Sequence, residues 1–369
     1  MAHNTTHTEP APKVFRTLHD DLRRGDFFSS MRRDFRELKE FMLDEQGKKR
    51  LSEMGLLKKW LYTAWWLLKS MFFKLTPARR ILLVVGLILL LASRTVIFSE
   101  GSVRIESDTN GLAILCIVFV LMLELKDKLV AKEELEAGRA VQEALMPERS
   151  PSVSGWSIWL FTRPANEVGG DLVEFVRAGE SRYGIALGDV AGKGLRAALL
   201  MAKLQATLKA LAPDFPSLAE LGRKLNEIFC RDGVRGIFAS LMYIELQPGS
   251  NAVRLVNAGH IPPMIVRNGE VTSLARGGVA LGLTPDATFE EMPLKLERGD
   301  VLCAYSDGLT EAQNERGEFF GEQRLSEMLF RFSDLPVEQF GEALVANVDR
   351  FTGSARRHDD LSIALIIKS

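Results

Sequence analysis

Four kinds of hydrophobic patterning follow one another along the 369 residues of this chain. Residues 1–57 are polar and basic, whereas residues 58–125 contain long apolar runs broken by charged positions. Residues 126–150 are highly charged and helix-favouring, and residues 151–369 show short alternating segments between turn residues. This change of period predicts helices in the amino-terminal part, followed by a domain that contains β-sheets.

Residues 58–78 form the first apolar region and predict an amphipathic helix. Leu61, Trp65, Leu68 and Phe72 fall on one helical face, and lysines flank the segment. Tryptophans beside lysines are typical of a helix in the headgroup region of a membrane. The alternative is a partly buried helix of a soluble protein.

Residues 79–125 contain two further apolar segments, 81–98 and 111–123, on either side of a short charged loop. Each is shorter than the roughly 20 residues that cross a hydrocarbon core. Basic residues outside both ends nevertheless follow the positive-inside pattern. We interpret the region as a two-helix transmembrane hairpin, which predicts a multi-pass protein of the cytoplasmic (inner) membrane with its carboxy-terminal domain in the cytoplasm. Buried core helices are the alternative.

Residues 126–150 predict a linker helix that ends at Met146 and Pro147. Its apolar positions do not keep a clean heptad repeat, so the helix predicts at most a weak contact in a homodimer.

Residues 151–369 predict an α+β domain of layered helices and largely antiparallel sheets. Turn residues at 248–251 and at Asn268 and Gly269 indicate hairpins, and a capping box begins at Ser217. Strands are predicted at residues 156–161, 183–187, 240–246, 253–256, 264–266, 301–305 and 361–367. Helices are predicted at residues 195–212, 217–230, 322–332 and 336–351.

The distribution of charge and cysteine narrows the classes of partner. The formal net charge is −1, but residues 1–80 carry 17 Lys and Arg against 10 Asp and Glu. Basic charge beside apolar runs favours a membrane surface and argues against nucleic acid as a partner. Cys116, Cys230 and Cys303 lack the spacing of metal ligands or disulfides, which favours a reducing, cytoplasmic setting. The polar start predicts no cleavable signal peptide.

Aspartates recur beside glycines at the ends of predicted strands. They are Asp171, Asp189, Asp307 and the adjacent pair Asp359 and Asp360. Carboxylate oxygens in loops are typical ligands of hard divalent cations, and neighbouring glycines allow backbone carbonyls and water to approach closely. The chain has no cluster of histidine or cysteine with the spacing of a zinc site. Magnesium or manganese is therefore the predicted metal.

Taken in order, these segments resemble the metal-dependent PP2C-type protein phosphatases, within the bacterial branch that includes SpoIIE and RsbU. The resemblance covers nearly all of residues 140–369. Any one motif is weak, but the ordered set is specific. The motifs are Val141-Gln142-x-x-Leu145-x-Pro147, Val168-Gly169-Gly170-Asp171, Gly188-Asp189-Val190-Ala191-Gly192-Lys193-Gly194, Asn257-Ala258-Gly259-His260-x-Pro262-Pro263, Ser306-Asp307-Gly308-Leu309-Thr310-Glu311-Ala312 and Asp359-Asp360-Leu361-Ser362.

The resemblance implies an αββα sandwich of two antiparallel sheets flanked by helices, with two divalent cations, Mn²⁺ or Mg²⁺, at one end. By motif position, Asp189 would bridge the cations and the Val190 carbonyl would be an adjacent ligand. Asp307 and Asp359 would complete one metal shell, and Asp171 would hold metal-bound waters or a further cation. A metal-activated water would then attack phosphorus without a covalent phosphoenzyme.

Several further candidates are less specific. Asp360 is the weaker candidate ligand of its pair. Ala191 stands where many eukaryotic relatives have a histidine, which leaves the proton donor unassigned. His358 is a candidate for that role, with a structural loop residue as the alternative. Arg356 and Arg357 are candidates for binding the substrate phosphate, and a solvated loop is the competing interpretation.

The resemblance implies a membrane-anchored serine/threonine phosphoprotein phosphatase that acts on a STAS-type anti-sigma-factor antagonist in a signalling pathway. The alternatives are a catalytically weak sensor or scaffold and a nucleotide cyclase. Diguanylate cyclases continue directly from Gly-Gly-Asp to Glu-Phe, whereas Leu172 and Val173 intervene here. The linker helix and the helix after Gly194 also suggest a route by which an input repositions a metal ligand.

Overall fold

The amino-terminal helices belong to the first of two compact units, which comprise residues 1–128 and 129–369. The computed structural model of the protein describes residues 55–91, 110–232 and 236–369. Almost all of the predicted basic region and the loop of the predicted hairpin lie outside these ranges. The first helices are α1 (Leu56–Lys74), α2 (Pro77–Leu91) and α3 (Asn110–Leu145), and α3 continues into the second unit.

The prediction of a transmembrane hairpin is wrong. None of the helices in the described ranges combines the length and the apolar character that a bilayer crossing requires. The apolar start of α3 gives way to charge at Glu124, and Arg79 of α2 forms ion pairs with Glu124 and Asp127 at 2.6 and 2.7 Å. The prediction of a multi-pass protein of the inner membrane is therefore wrong as well.

The second unit contains two antiparallel sheets of five strands each, with orders β1-β10-β9-β6-β7 and β2-β3-β4-β5-β8. Consecutive strands are joined by hairpins in several places, including the predicted turn at Asn268 and Gly269, whose φ angles are 51° and 79°. The strands are β1 (Trp156–Arg163), β2 (Asp171–Arg177), β3 (Tyr183–Val190), β4 (Ala239–Leu246), β5 (Ala252–Ala258), β6 (Met264–Arg267), β7 (Glu270–Ser273), β8 (Glu291–Lys295), β9 (Val301–Tyr305) and β10 (Leu361–Lys368).

Helices cover the outer faces of both sheets. One apolar cluster, which includes Leu187 and Leu302, fills the space between the sheets. A second joins α4 and α5 to the β2–β8 sheet, and a third joins α7 and α8 to the β1–β7 sheet. This arrangement confirms the predicted αββα sandwich. The helices are α4 (Leu195–Leu211), α5 (Leu218–Asp232), α6 (Asp307–Thr310), α7 (Gly321–Phe332) and α8 (Val337–Thr352).

Three strands are absent from the sequence prediction. β2 begins with Asp171 and contains Glu174, yet both side chains are buried, so its charge hides its position in the sheet. β7 has only four residues. β8 contains Pro293 and lies at the edge of its sheet, where a residue that lacks a backbone N–H is tolerated.

Candidate active site

The antiparallel pair of β2 and β3 brings together the first two predicted ligands. Asp171 is the first residue of β2, and it is paired with Asp189 near the end of β3. Gly170 lies beside the next residue, since a Cβ at Gly170 would stand 3.3 Å from the Val190 carbonyl oxygen. Glycine at this position therefore keeps space open between the Gly-Gly-Asp loop and the predicted carbonyl ligand.

The neighbouring strands β9 and β10 of the other sheet contribute Asp307 and Asp359. Asp307 begins α6 directly after β9, and Asp359 lies two residues before β10. The two loops are in close contact, because a Cβ at Gly308 would stand 2.0 Å from the Asp360 carbonyl oxygen. Only glycine can occupy that position without a shift of the backbone.

Asp189, Asp307 and Asp359, which we call the acidic cluster, repel one another electrostatically. Burial raises the pKa of Asp189 to about 6, and the charges of Asp307 and Asp359 contribute to that increase. The pKa of Asp307 is also raised, first by burial and then by Asp359. Carboxylates that destabilise one another in this way mark a position where a cation would be favoured.

Asp171 is more deeply buried than the acidic cluster. Burial raises the pKa of its carboxyl well above the usual range, a shift that the Ser362 hydroxyl partly offsets and the charge of Asp189 increases. Within the described ranges, its Oδ2 atom has no hydrogen-bond partner. An unpaired buried carboxylate oxygen is costly, so Asp171 has an oxygen available to a water or a cation.

Asp360 has a different role from its neighbour. Its Oδ1 accepts a hydrogen bond from the Ala165 backbone N–H at 2.7 Å. Its Oδ2 accepts from the backbone N–H groups of Gly170 and Asp171 at 2.6 and 3.3 Å. Both oxygens are therefore committed to the Gly-Gly-Asp loop. Gly169 permits this approach, because a Cβ there would stand 2.7 Å from Asp360 Oδ2.

His260 supports the site from inside the sandwich. Burial lowers its pKa to about 4, so the ring is neutral at pH 7. The ring Nδ1 is 2.9 Å from the Ser240 hydroxyl, which accepts a hydrogen bond from the Asp189 backbone N–H at 3.2 Å. The Asn257 side chain bonds both backbone groups of His260, at 2.8 and 3.0 Å. We call Asp360, Ser240, His260 and Asn257 the support network.

Lys193 places the single positive charge of an ammonium group next to the acidic cluster. Its Nζ donates to Asp359 Oδ2 at 2.8 Å and to the His358 carbonyl oxygen at 2.6 Å. The charge of Lys193 also lowers the pKa values of Asp189 and Asp307. The sequence motif contained this lysine, but residue type alone did not show which carboxylate it would bind.

A small cleft lies beside Asp359, and its lining includes Arg163, Arg357 and His358. Arg163 donates two hydrogen bonds to the carboxylate of Asp349, at 2.6 and 3.0 Å. Arg357 is half exposed and approaches the same carboxylate at 3.4 Å. Arg357 therefore lines the cleft beside Asp359, and Arg356 is an exposed residue of the same loop.

Gln142, near the end of α3, contacts the site in a way that sequence reasoning missed. Its side-chain amide donates to the Gly169 carbonyl oxygen at 2.9 Å and accepts from the Gly169 backbone N–H at 3.0 Å. The available signal was the Val141-Gln142 motif, which the resemblance included without a role. Ser240 was also missed, and it lies outside every motif.

The side chains of these residues have the donor atoms that a divalent cation prefers, although their arrangement does not form a complete binding site. Hard carboxylate oxygens, mutual repulsion in the acidic cluster and the unpaired Asp171 Oδ2 all favour such an ion. However, across the part of the chain that the structure describes, no three acidic, histidine or cysteine side chains converge well enough to hold a metal. In this arrangement Asp359 is paired with Lys193.

The sequence is similar to that of a protein family and of named bacterial proteins. A sequence profile of the family Stage II sporulation protein E (SpoIIE) matches residues 179–368. Protein IcfG of Synechocystis is 28% identical over 273 residues, which cover 66% of this chain and 42% of IcfG. Phosphoserine phosphatase RsbU of Bacillus subtilis is 28% identical over 188 residues, covering 50% of this chain and 56% of RsbU. The chain thus spans about half the length of these relatives.

The fold also matches a solved structure. The SiaA-PP2C domain of Pseudomonas aeruginosa aligns with a TM-score of 0.56 and 22% sequence identity, covering 66% of this chain and 98% of that domain. At this level of identity the likeness concerns the fold. The match therefore supports the PP2C sandwich as the fold of this chain.

Proposed function

This chain belongs to the SpoIIE family, and from that premise we propose that it hydrolyses phosphoserine or phosphothreonine in a protein substrate. The observation that carries the proposal is the acidic cluster, Asp189, Asp307 and Asp359, at one end of a PP2C sandwich. RsbU, a relative, is a phosphoserine phosphatase. The substrate class follows from that relative and from the family.

Five groups would hold two divalent cations, Mn²⁺ or Mg²⁺, in this proposal. Asp189 would bridge them, with the Val190 carbonyl as an adjacent ligand, and Asp307 and Asp359 would complete one shell. Asp171 would hold waters or a further cation through its unpaired Oδ2. When bound, such cations neutralise phosphate charge and lower the pKa of water.

The protein's own side chains would contribute position and charge. Asp360 fixes the Gly-Gly-Asp loop through three backbone N–H groups, and so orients Asp171. Ser240 holds the backbone at Asp189. Arg357, in the cleft beside Asp359, would bind the phosphate or an acidic neighbour of the phosphorylated residue. His358 lines the same cleft and stays a candidate proton donor.

The family resemblance suggests a particular substrate protein. We propose a phosphorylated anti-sigma-factor antagonist of the STAS type, because SpoIIE and RsbU define the bacterial branch that this chain resembles. Regulation through α3 and the helix after Gly194 stays a hypothesis, as does a weak homodimer contact through the linker helix. The substrate, the regulation and the dimer contact are all properties of the whole protein and not of the fold alone.

The test compares the full chain with its Asp189→Asn variant on a phosphoserine peptide, with Mn²⁺ or with excess chelator. We expect turnover only with the cation, and a loss of at least about 100-fold in kcat/KM for the variant, because even outer-shell partners of a metal contribute 10–100-fold. Asp214→Asn is the matched control, since Asp214 is an exposed aspartate that is not in the acidic cluster.

Two results would contradict the proposal. Turnover that persists in chelator would remove the cation from the mechanism. Cation binding without hydrolysis of any phosphoserine or phosphothreonine peptide would favour the sensor or scaffold function instead.

A further inference from the structure

Lys193 lies in the loop that follows β3, and its ammonium group contacts the loop that contains His358 and Asp359. Its Nζ contacts the His358 carbonyl oxygen at 2.6 Å and Asp359 Oδ2 at 2.8 Å. Glycines on both sides, with φ of 113° at Gly192 and 75° at Gly194, shape the loop that carries it. Few residues other than glycine adopt these angles. The backbone conformation of the loop that carries Lys193 therefore depends on these two glycines.

The effect of this ammonium group extends beyond its partner. For both Asp189 and Asp307, repulsion by other aspartates raises the pKa and the charge of Lys193 lowers it. The lysine thus offsets part of the excess negative charge of the acidic cluster. A divalent cation would have the same electrostatic effect with twice the charge.

Resting on the proposed function, we propose that Lys193 is an internal counter-ion of the acidic cluster that competes with divalent cations for Asp359. A cation that binds Asp359 Oδ2 must take the oxygen to which Nζ now donates. The exchange would break one N–H···O hydrogen bond and form one cation–oxygen bond.

The pair is weak enough for such an exchange. The side chains of Lys193 and Asp359 are 55% and 36% exposed, and ion pairs with this much exposure contribute little to stability. A divalent cation instead binds several oxygens at once. Lys193 would therefore raise the cation concentration needed to fill the site, and it would limit repulsion within the acidic cluster when cations are scarce.

The first experiment measures Mn²⁺ binding to the full chain by isothermal titration calorimetry. We expect Lys193→Met to lower the Kd for Mn²⁺ about fivefold, because a competing charge is removed. Lys193→Arg retains the charge and should bind like the wild type. The control is Lys224→Met, which removes a lysine from a surface pair with Glu227 at 3.1 Å on α5 and should leave the Kd unchanged.

The second readout is the reactivity of the lysine itself. An amine-acetylating reagent followed by mass spectrometry should label Lys193 more rapidly once Mn²⁺ is added, because the cation releases Nζ from Asp359. Labelling of Lys224 should not change. These measurements require no catalytic turnover.

The outcomes separate this inference from the proposed function. If the wild type binds Mn²⁺ and Lys193→Met binds it equally or more weakly, Lys193 is not a competitor, while the phosphatase proposal stands. Unchanged labelling of Lys193 on addition of Mn²⁺ would overturn the inference in the same way. If neither protein binds Mn²⁺, both the inference and the proposed cation site fall.

Discussion

Asp359 and Asp360 are adjacent in the chain but belong to two regions with opposite properties. Asp360 is buried, and backbone N–H groups of three residues donate to its two oxygens. Asp359 is partly exposed and belongs to the acidic cluster, where its charge raises the pKa values of Asp189 and Asp307. Both oxygens of Asp360 accept from the backbone, whereas Asp359 accepts one backbone N–H, from Asp360 at 3.1 Å, and its other oxygen accepts from Lys193.

The same contrast distinguishes the support network from the acidic cluster as a whole. Asp360 and Ser240 accept backbone hydrogen bonds, and Asn257 bonds both backbone groups of His260, all at buried or partly buried positions. Members of the acidic cluster mainly repel one another. The hydrogen bonds that stabilise the fold and the carboxylates that we propose as cation ligands therefore belong to separate groups of residues, even where those residues are neighbours in sequence. Substitutions in the two groups should therefore have separable effects.

The largest expected effect is on stability, in Asp360→Ala. The substitution leaves two buried and one partly buried backbone N–H groups without an acceptor, and we expect it to lower the free energy of unfolding by about 4 kcal/mol. Asp359→Ala is the matched comparison and should change that free energy by less than about 1 kcal/mol, because its ion pair is exposed. Urea denaturation in chelator provides the measurement. Equal losses in the two variants would remove the distinction between the regions.

The pair also shows what the sequence could and could not predict. The order of most strands, helices and acidic loops was readable because alternation, turn residues and motifs all agreed, and the αββα sandwich was implied by the family resemblance that the motifs carry. For Asp359 and Asp360, the sequence indicated only that Asp360 was the weaker candidate ligand, since both are acidic residues in one motif. Hydrogen bonds from residues nearly 200 positions away decide between them, as in Ala165 to Asp360.

The errors in the amino-terminal part have a physical cause of the same kind. Apolar runs and flanking basic residues indicate a membrane only if a helix is both long and apolar enough to cross it, and no helix within the described ranges meets both conditions. Likewise, β2 was missed because Asp171 and Glu174 disguise a buried strand. Both cases depend on length or burial, which local composition does not determine.

A second prediction concerns pH and uses His260 of the support network. Its folded pKa is about 4, below its ordinary value, so the unfolded chain binds a proton first as pH falls. The part of the stability that depends on a neutral His260 ring is fully present above about pH 6.5. It is lost between pH 6.5 and pH 4, which lowers the free energy of unfolding by about 3 kcal/mol. His260→Gln should lack this part of the pH dependence. The control, His358→Gln, removes an exposed histidine and should keep it.

Urea denaturation at pH 4.5 and pH 7 in chelator measures these differences in the free energy of unfolding. The comparison between regions would be weakened if wild type and His260→Gln lost equal stability over that interval. It would be sharpened if only the variant kept its stability, because the buried and neutral state of the ring would then be a property of the support network.

The smallest expected effect is in Ser240→Ala, which removes the hydroxyl between His260 and the backbone of Asp189. We expect a loss of about 1 kcal/mol in the free energy of unfolding, as for one hydrogen bond. Cation binding should be retained, because β3 is held by β2 on one side and β4 on the other. Ser157→Ala, at an exposed hydroxyl pair with Ser369, is the control and should cost less. Loss of Mn²⁺ binding in Ser240→Ala by calorimetry would show that support and binding cannot be separated at Asp189.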